Sequence, residues 1–180
     1  MKFAKGSFRN IYAIRFEPGE DVLLGLQKFC EDHGVGHGAI LSGIGSLEGC
    51  SFFDPDELPG KPGLYGYGAP IELPCPIELT SLSGIICTEE SGKPSLHVHA
   101  TFADKEGKEY GGHFKEGNRV LTTVELVIGE LGGINMSRRT DPNRGVMVFE
   151  PIQLSDEGTR CSVGGKFRPP GGDGDAAHPH

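Results

Sequence analysis

The 180-residue chain contains no apolar run near the roughly 18–20 residues that a membrane span needs. Its first residues, MKFAKGSFRNIYAIRF, lack the apolar core of a signal peptide, so a cytoplasmic protein is expected. The five cysteines, Cys30, Cys50, Cys75, Cys87 and Cys161, are odd in number and form no C-x-x-C pair. That argues against a disulfide framework or a thiolate zinc knuckle and leaves reduced thiols. Basic residues are scarce too: 17 Lys and Arg stand against 25 Asp and Glu, for a net charge of −8. A field of that sign repels phosphate backbones, and the densest basic cluster, SRRTDPNR, is too short to offset it. Nucleic acid is not the expected partner. A nucleotide fingerprint is missing as well, because the G-x-G of SGIGSLEG is not followed by a helix. No internal repeat is visible.

Glycine and proline are plentiful, at 29 and 13 residues, which points to tight turns and a β-rich fold. With 36% hydrophobic and 23% charged residues, a chain this long suits one soluble domain with a real core. Residues 1–154 are assigned to that domain; 155–180, rich in glycine, proline and charge, read as a disordered tail. Ile11, Ala13 and Arg15 alternate with Tyr12, Ile14 and Phe16, a strand pattern that ends at Pro18-Gly19. GEDVLLGLQKFCEDHG predicts the main helix, with Val22, Leu26, Phe29 or Cys30, and His33 on one face, acidic residues in its first turn and Gly34 as its stop. Two strands joined at a Gly43-x-Gly45 corner follow. Residues 54–70 carry four prolines and no periodicity, which suggests a functional flap or mobile loop. IELPCPIELTSLSGIICTE, RVLTTVELVIGEL and GVMVFEPIQL read as further strands. The expected fold is α+β, a mainly antiparallel sheet with one principal helix.

LHVHATFADKEGKEYGGHF, residues 96–114, holds three of the seven histidines. Side chains at i and i+2 of a strand share a face, so Leu96, Val98 and Ala100 turn one way and His97, His99 and Thr101 the other. Same-face neighbours lie about 6.5–7 Å apart. Two imidazoles can therefore lean onto one ion about 2.0–2.1 Å from each nitrogen. ADKEG supplies the turn. It returns His113 to within about a residue of opposition to positions 97–99, where Gly111-Gly112 can absorb a slip as a bulge and admit close backbone approach. Three imidazoles with a fourth position open is the arrangement of a catalytic zinc site, and other divalent first-row metals also accept imidazole. The competing reading is a solvent-facing hairpin that happens to carry histidine.

PIELTSLSGII, LHVHATFADKEGKEYGGHF and TTVELVIGEL, with FEPGEDVLLGLQKFCEDHGV and AILSGIGSLEGCSFFD upstream, resemble the plants-and-prokaryotes-conserved (PPC) domain across residues 8–153. The resemblance implies a compact α+β domain assembling as a homotrimer. It also implies a zinc or related ion held by the H-x-H…G-G-H histidines, here His97, His99 and His113. The same hairpin is similar to the metal-binding segment of α-acetolactate decarboxylase, a zinc enzyme of related fold. That likeness implies chelation of a hydroxy- or keto-acid at an open metal. Plant members are DNA-associated through a separate AT-hook, whereas this chain has no R-G-R-P core; GGKFRPPGG is its nearest approach. It also carries Cys75-Pro76 where the plant type has Gly-Arg, and keeps histidines that the plant type lacks.

A metal-bound water or carbonyl still needs proton transfer and substrate anchoring. Glu125, in a strand, is the first candidate acid or base, ahead of Glu72 and Glu78. Arg138 and Arg139 are candidate carboxylate clamps. His37 is a candidate cleft residue and His33 a helix C-terminal cap, while His178 and His180 are tail residues open to adventitious metal. The function expected is a zinc-dependent lyase or hydrolase acting on a small oxygen-rich acid or ester, with a small molecule and further copies of itself as partners. A DNA-associated regulatory protein and a non-catalytic small-molecule sensor are the alternatives.

Overall fold

The computed structural model of the chain describes residues 1–141 and 147–154; the expected tail, with Cys161, His178 and His180, lies outside them. Strand β1 (Ser7–Phe16) exposes Ile11, Ala13 and Arg15 and turns Tyr12, Ile14 and Phe16 inward, as the alternation requires. Helix α1 (Val22–His33) starts at Asp21, whose side chain accepts the Leu24 N–H at 3.0 Å. Its first turn holds no acidic residue. This corrects the sequence expectation: Glu20 and Asp21 precede the turn, and the Asp21 carboxylate acts as an N-cap instead. Val22, Leu26 and Cys30 are fully buried at helical spacing. His33 is exposed at the helix end, with its ring stacked on Phe29 at 4.1 Å and Nδ1 2.9 Å from the Phe29 carbonyl oxygen. Gly34 closes the helix with its N–H on the Cys30 and Glu31 carbonyls.

The remaining strands are β2 (Gly38–Leu47), β3 (Cys50–Phe53), β4 (Pro55–Glu57), β5 (Tyr65–Tyr67), β6 (Ile71–Leu73), β7 (Ile77–Thr88), β8 (Pro94–Ala103), β9 (Glu109–Phe114), β10 (Val120–Gly132), β11 (Ile134–Thr140) and β12 (Met147–Gln153). The main sheet runs β1-β10-β2-β7-β8-β9-β3-β6 with antiparallel neighbours. β11 joins β7 through one parallel pair, Ser137 with Thr88, and pairs antiparallel with β12. The expected α+β architecture is present, with α1 the one helix among the described residues. No described helix is long and apolar enough to cross a membrane.

Two expectations about loops need correction. Gly43-x-Gly45 does not divide two strands, for β2 runs through to Leu47. Gly45 takes φ +152°, and a Cβ there would strike the Thr123 carbonyl, so glycine accommodates the register shift between β2 and β10. Residues 54–70 are not without structure either. β4 and β5 form a hairpin that pairs Pro55 with Tyr67 and Glu57 with Tyr65, strands of three residues each that are too short for any periodicity to register.

One face of the sheet packs on α1. Val124, Leu126 and Ile128 of β10 share a core with Val22, Leu26, Val98, Ala100, Phe102 and Phe114. Beneath the β8–β9 hairpin the rings of Phe52, Phe102 and Phe114 form a floor, with Phe102 centred 5.4 Å from Phe52 and 6.2 Å from Phe114. Fully buried Asn118 secures the edge of that floor: Oδ1 accepts the Ser51 N–H at 2.8 Å, while Nδ2 donates to the Ser51 and Lys115 carbonyls at 2.9 and 2.7 Å. All three groups are satisfied by one side chain, which ties β3 to the turn after β9. Truncating the central ring removes apolar burial and leaves a cavity that the rigid sheet cannot fill. Phe102→Ala is expected to lower stability by about 3–5 kcal/mol, read as a fall in urea midpoint at unchanged slope. A loss below about 1 kcal/mol would show that the phenylalanine floor does not hold the hairpin.

Candidate metal centre

Asp104 builds the turn of the β8–β9 hairpin: its Oδ1 accepts the Glu106 and Lys108 N–H groups at 3.0 and 2.9 Å, and its Oδ2 accepts the Tyr110 hydroxyl at 3.1 Å. The return strand places His113 directly opposite His99, Gly112 opposite Ala100 and Gly111 opposite Thr101. No bulge is needed at the glycine pair, contrary to expectation, because the turn length already sets the register. Gly112 serves close approach instead: a Cβ there would lie 2.6 Å from Asp54 Oδ1 and 2.7 Å from the Phe53 carbonyl oxygen.

With Val98, Ala100 and Phe114 buried below, the three imidazoles stand together on the open face. Nε2 of His97 lies 3.2 Å from Nε2 of His99, and one nitrogen from each of His97, His99 and His113 falls within 4.8 Å of the others. Ring centroids are 5.1–5.3 Å apart. Nitrogens about 2.0–2.1 Å from a tetrahedral ion sit roughly 3.3 Å from one another, so small ring rotations bring this set onto one cation. The donors are all imidazole, which fits a divalent first-row metal rather than calcium or magnesium.

Residues 3–132 match the Plants and Prokaryotes Conserved (PCC, also written PPC) domain. The chain belongs to this family. The PPC fold recurs in a plant- and prokaryote-conserved protein from Pyrococcus horikoshii, 28% identical with a TM-score of 0.70 over 86% of this chain and 100% of that one. It recurs too in a metal-containing protein from Archaeoglobus fulgidus, 25% identical with a TM-score of 0.71 over 83% and 99% of the two chains. A stretch of the bifunctional protein GlmU from Synechococcus sp. (strain JA-3-3Ab) is 29% identical over 142 residues, 79% of this chain and 20% of that protein. The chain thus spans about a fifth of the length of the curated relatives it matches.

In this PPC domain two of the imidazoles, His97 and His113, are pushed toward the neutral form. Partial burial, followed by the neighbouring His97, His99 and Arg138, pushes the His113 pKa down to about 4. Burial first, then Arg138 and His99, also lowers that of His97. Neutral rings offer lone pairs to a metal, and few protons compete for them near pH 7. The buried thiols are poor rivals as ligands or nucleophiles. Burial pushes Cys30 up to about 12, and Cys50 and Cys87 up to about 11.

The other candidates are scattered. Arg138 joins the centre: with His97 it lines a cavity of about 490 Å³ that Pro55, Tyr65, Gly66, Tyr67 and Met147 complete. Arg139, its neighbour on β11, points the other way and acts on Glu150, so the arginine pair is not a double clamp. Both lie within a strand, β11, that proline and glycine just beyond it had obscured. Glu125 shares the open face but sits on β10, with β2 and β7 between it and β8. At about 4.8 Å per strand it stands roughly 14 Å from the imidazoles, beyond reach of them within its own chain. Glu78 is exposed on β7, and Glu72, on β6, contacts Ser51 Oγ at 3.5 Å. His37 is a structural tie whose Nδ1 lies 3.2 Å from both the carbonyl oxygen and the amide nitrogen of Met136.

Sequence reasoning missed Tyr67. Its hydroxyl lies 3.0 Å from His113 Nδ1, and its ring sits 4.6 Å from the imidazole. Holding Nδ1 leaves Nε2 as the nitrogen His113 can offer a metal, the outer support that ligating histidines commonly have. The two tyrosines flanking Gly66 were the available signal, but three residues are too few to show a strand period among the prolines around them.

These histidine shifts have a consequence for metal-free protein. Below about pH 6.5 an unfolded chain protonates His113, while the folded one resists until about 4. The unfolded state therefore binds more protons across that window, and stability falls as pH falls. The thermal midpoint of metal-free protein is expected to drop between pH 6.5 and 4, with a shallower slope in His113→Gln. Identical slopes would show that the imidazole is not held neutral by the fold.

Proposed function

We propose that this PPC domain is a zinc-dependent enzyme, or one using a related divalent first-row metal, of lyase or hydrolase type, acting on a small oxygen-rich acid or ester. The observation that carries the reading is the convergence of three imidazole nitrogens within 4.8 Å of one another on the exposed face of the sheet, beside a cavity. Three neutral ligands leave a metal with an open position for substrate or water. When bound, such a metal polarises a coordinated carbonyl and acidifies coordinated water. His97, His99 and His113 hold it, Tyr67 orients His113, and Arg138 anchors an anionic group of the substrate. Support comes from the metal-containing Archaeoglobus fulgidus protein of the same fold, and from the likeness of the hairpin to that of α-acetolactate decarboxylase, where a chelated acid is the substrate type. A cytoplasmic location agrees with the free thiols of Cys30, Cys50, Cys75 and Cys87.

Elemental analysis tests the metal. Protein purified without chelator is expected to carry about one equivalent of zinc per chain, with at least tenfold less in His99→Ala. Equal, substoichiometric content in both proteins would remove the metal and the enzyme with it.

The working unit we assign is a homotrimer. Away from the histidines, the open face bears exposed Ile11 and Ile44, at 62% and 51% of full exposure. Ile44 lines a depression of about 440 Å³ with Ala13, Ile14, Leu126 and Val127, where Arg15 and Glu125 supply the charge. An uncovered apolar surface on an otherwise acidic protein suits contact with another copy. Light scattering is expected to give three times the chain mass for the wild type and a smaller species for Ile44→Glu. A monomeric wild type at tens of micromolar would rule the assembly out.

A further inference from the structure

Among the described residues no ion pair or hydrogen bond reaches the Arg138 guanidinium. It stands beside His97 in a protein whose net charge is −8. An unpaired guanidinium at the wall of a cavity is a ready fork for a carboxylate. The rest of that cavity is of opposite character. Tyr65 and Tyr67, two apart on β5, share a face and line it together with Pro55 and Met147. Tyr67 is fixed between Phe53, at 5.7 Å, and His113. Tyr65 has no ring partner among the described residues and is 66% exposed, with Met147 at 45%. Uncovered aromatic and thioether surface facing a charged anchor marks a pocket for a ligand with one acidic end and one flat apolar end.

The volume agrees. About 490 Å³ lies within the ~300–1,000 Å³ common for ligand pockets, and a three-carbon acid would leave most of it to water. The other recess at the centre, about 200 Å³ beside His99, is lined by Ser81, Ser83 and Thr101 with no charged side chain. Recognition therefore falls on the side of the β4–β5 hairpin.

We infer that the ligand of this site is an α-keto or α-hydroxy acid bearing an aromatic substituent, with its carboxylate on Arg138 and its ring against Tyr65 and Tyr67, so that Tyr65 sets the preference for an aryl over a methyl group. The inference rests on the metal reading above for the oxygen next to the carboxylate, whereas the arginine and tyrosine contacts stand without it. Tyr65 is a specificity residue, largely exposed and outside the buried core.

Calorimetric titration of zinc-loaded protein with benzoylformate, pyruvate and phenyl phosphate tests it. Benzoylformate is expected to bind at least tenfold more tightly than pyruvate and more tightly than phenyl phosphate. Tyr65→Ala should erase the preference between the two keto acids and Tyr65→Phe should keep it. Arg138→Gln should weaken both acids at least tenfold with no loss of zinc. Equal affinity for the two keto acids, tightest binding of phenyl phosphate, or a full zinc complement with neither acid bound would each overturn the inference. A protein that takes up no zinc yet keeps the benzoylformate preference would retain the acid pocket and remove the metal reading, so the two failures are distinguishable.

Discussion

The pairing of His99 with His113 across the β8–β9 ladder is the constraint on which the centre depends. A strand shows its two faces at alternate residues, so a slip of one position would carry His113 into the phenylalanine floor and Phe114 into solvent. Several independent features oppose such a slip. Asp104 fixes the turn with three hydrogen bonds from one carboxylate. Phe102 and Phe114 bury their rings on the core side. On the far side of β9, Gly112 lets β3 approach at a distance that any side chain would forbid. The convergence of the three imidazoles is thus a by-product of core packing: what holds them together is the apolar surface under them.

The open face of the same sheet changes character along its width. At the β1-β10-β2 end it carries Ile11, Ala13 and Ile44; at the β7-β8-β9 end it carries Ser83, Thr101 and the three histidines. Helix α1 packs on the opposite face and leaves both regions free. The composition of that open face thus divides into an apolar end and a polar, histidine-bearing end. Glu125 belongs to the apolar end, which accounts for its distance from the imidazoles better than any local misfit would.

Much of this could be read from the chain itself. Period-two alternation revealed β1, β8 and β10; helical spacing with Gly34 as its stop revealed α1; H-x-H with a turn and a third histidine predicted a shared face without coordinates. What escaped was of two kinds. Short elements escaped because three residues hold no period: β4 and β5 hide among prolines and glycines, and Tyr67 with them. Long-range partners escaped because local pattern says nothing about which strands become neighbours. Glu125 and Arg138 looked equally eligible along the chain. The sheet order separates one by two strands and delivers the other through β11, attached to β7 at a single pair.

Arg138 introduces an opposition within the centre. Burial is the main cause of the lowered proton affinity of His97 and His113, and the Arg138 charge adds to it, which favours metal binding near neutrality by removing competing protons. The same charge repels a dication directly, and at this partial burial the repulsion is screened less than on open surface. The two effects do not cancel in kind. Proton competition vanishes once the pH lies well above the imidazole pKa values, whereas the repulsion between guanidinium and metal persists at every pH. An anion seated between them reverses the sign of that remaining term, since it attracts both cations at once. Cation and carboxylate are therefore expected to bind cooperatively, each raising the affinity of the other by the same factor, and three clustered imidazoles beside a guanidinium with no ion-pair partner among the described residues are better matched to the pair than to either ion alone.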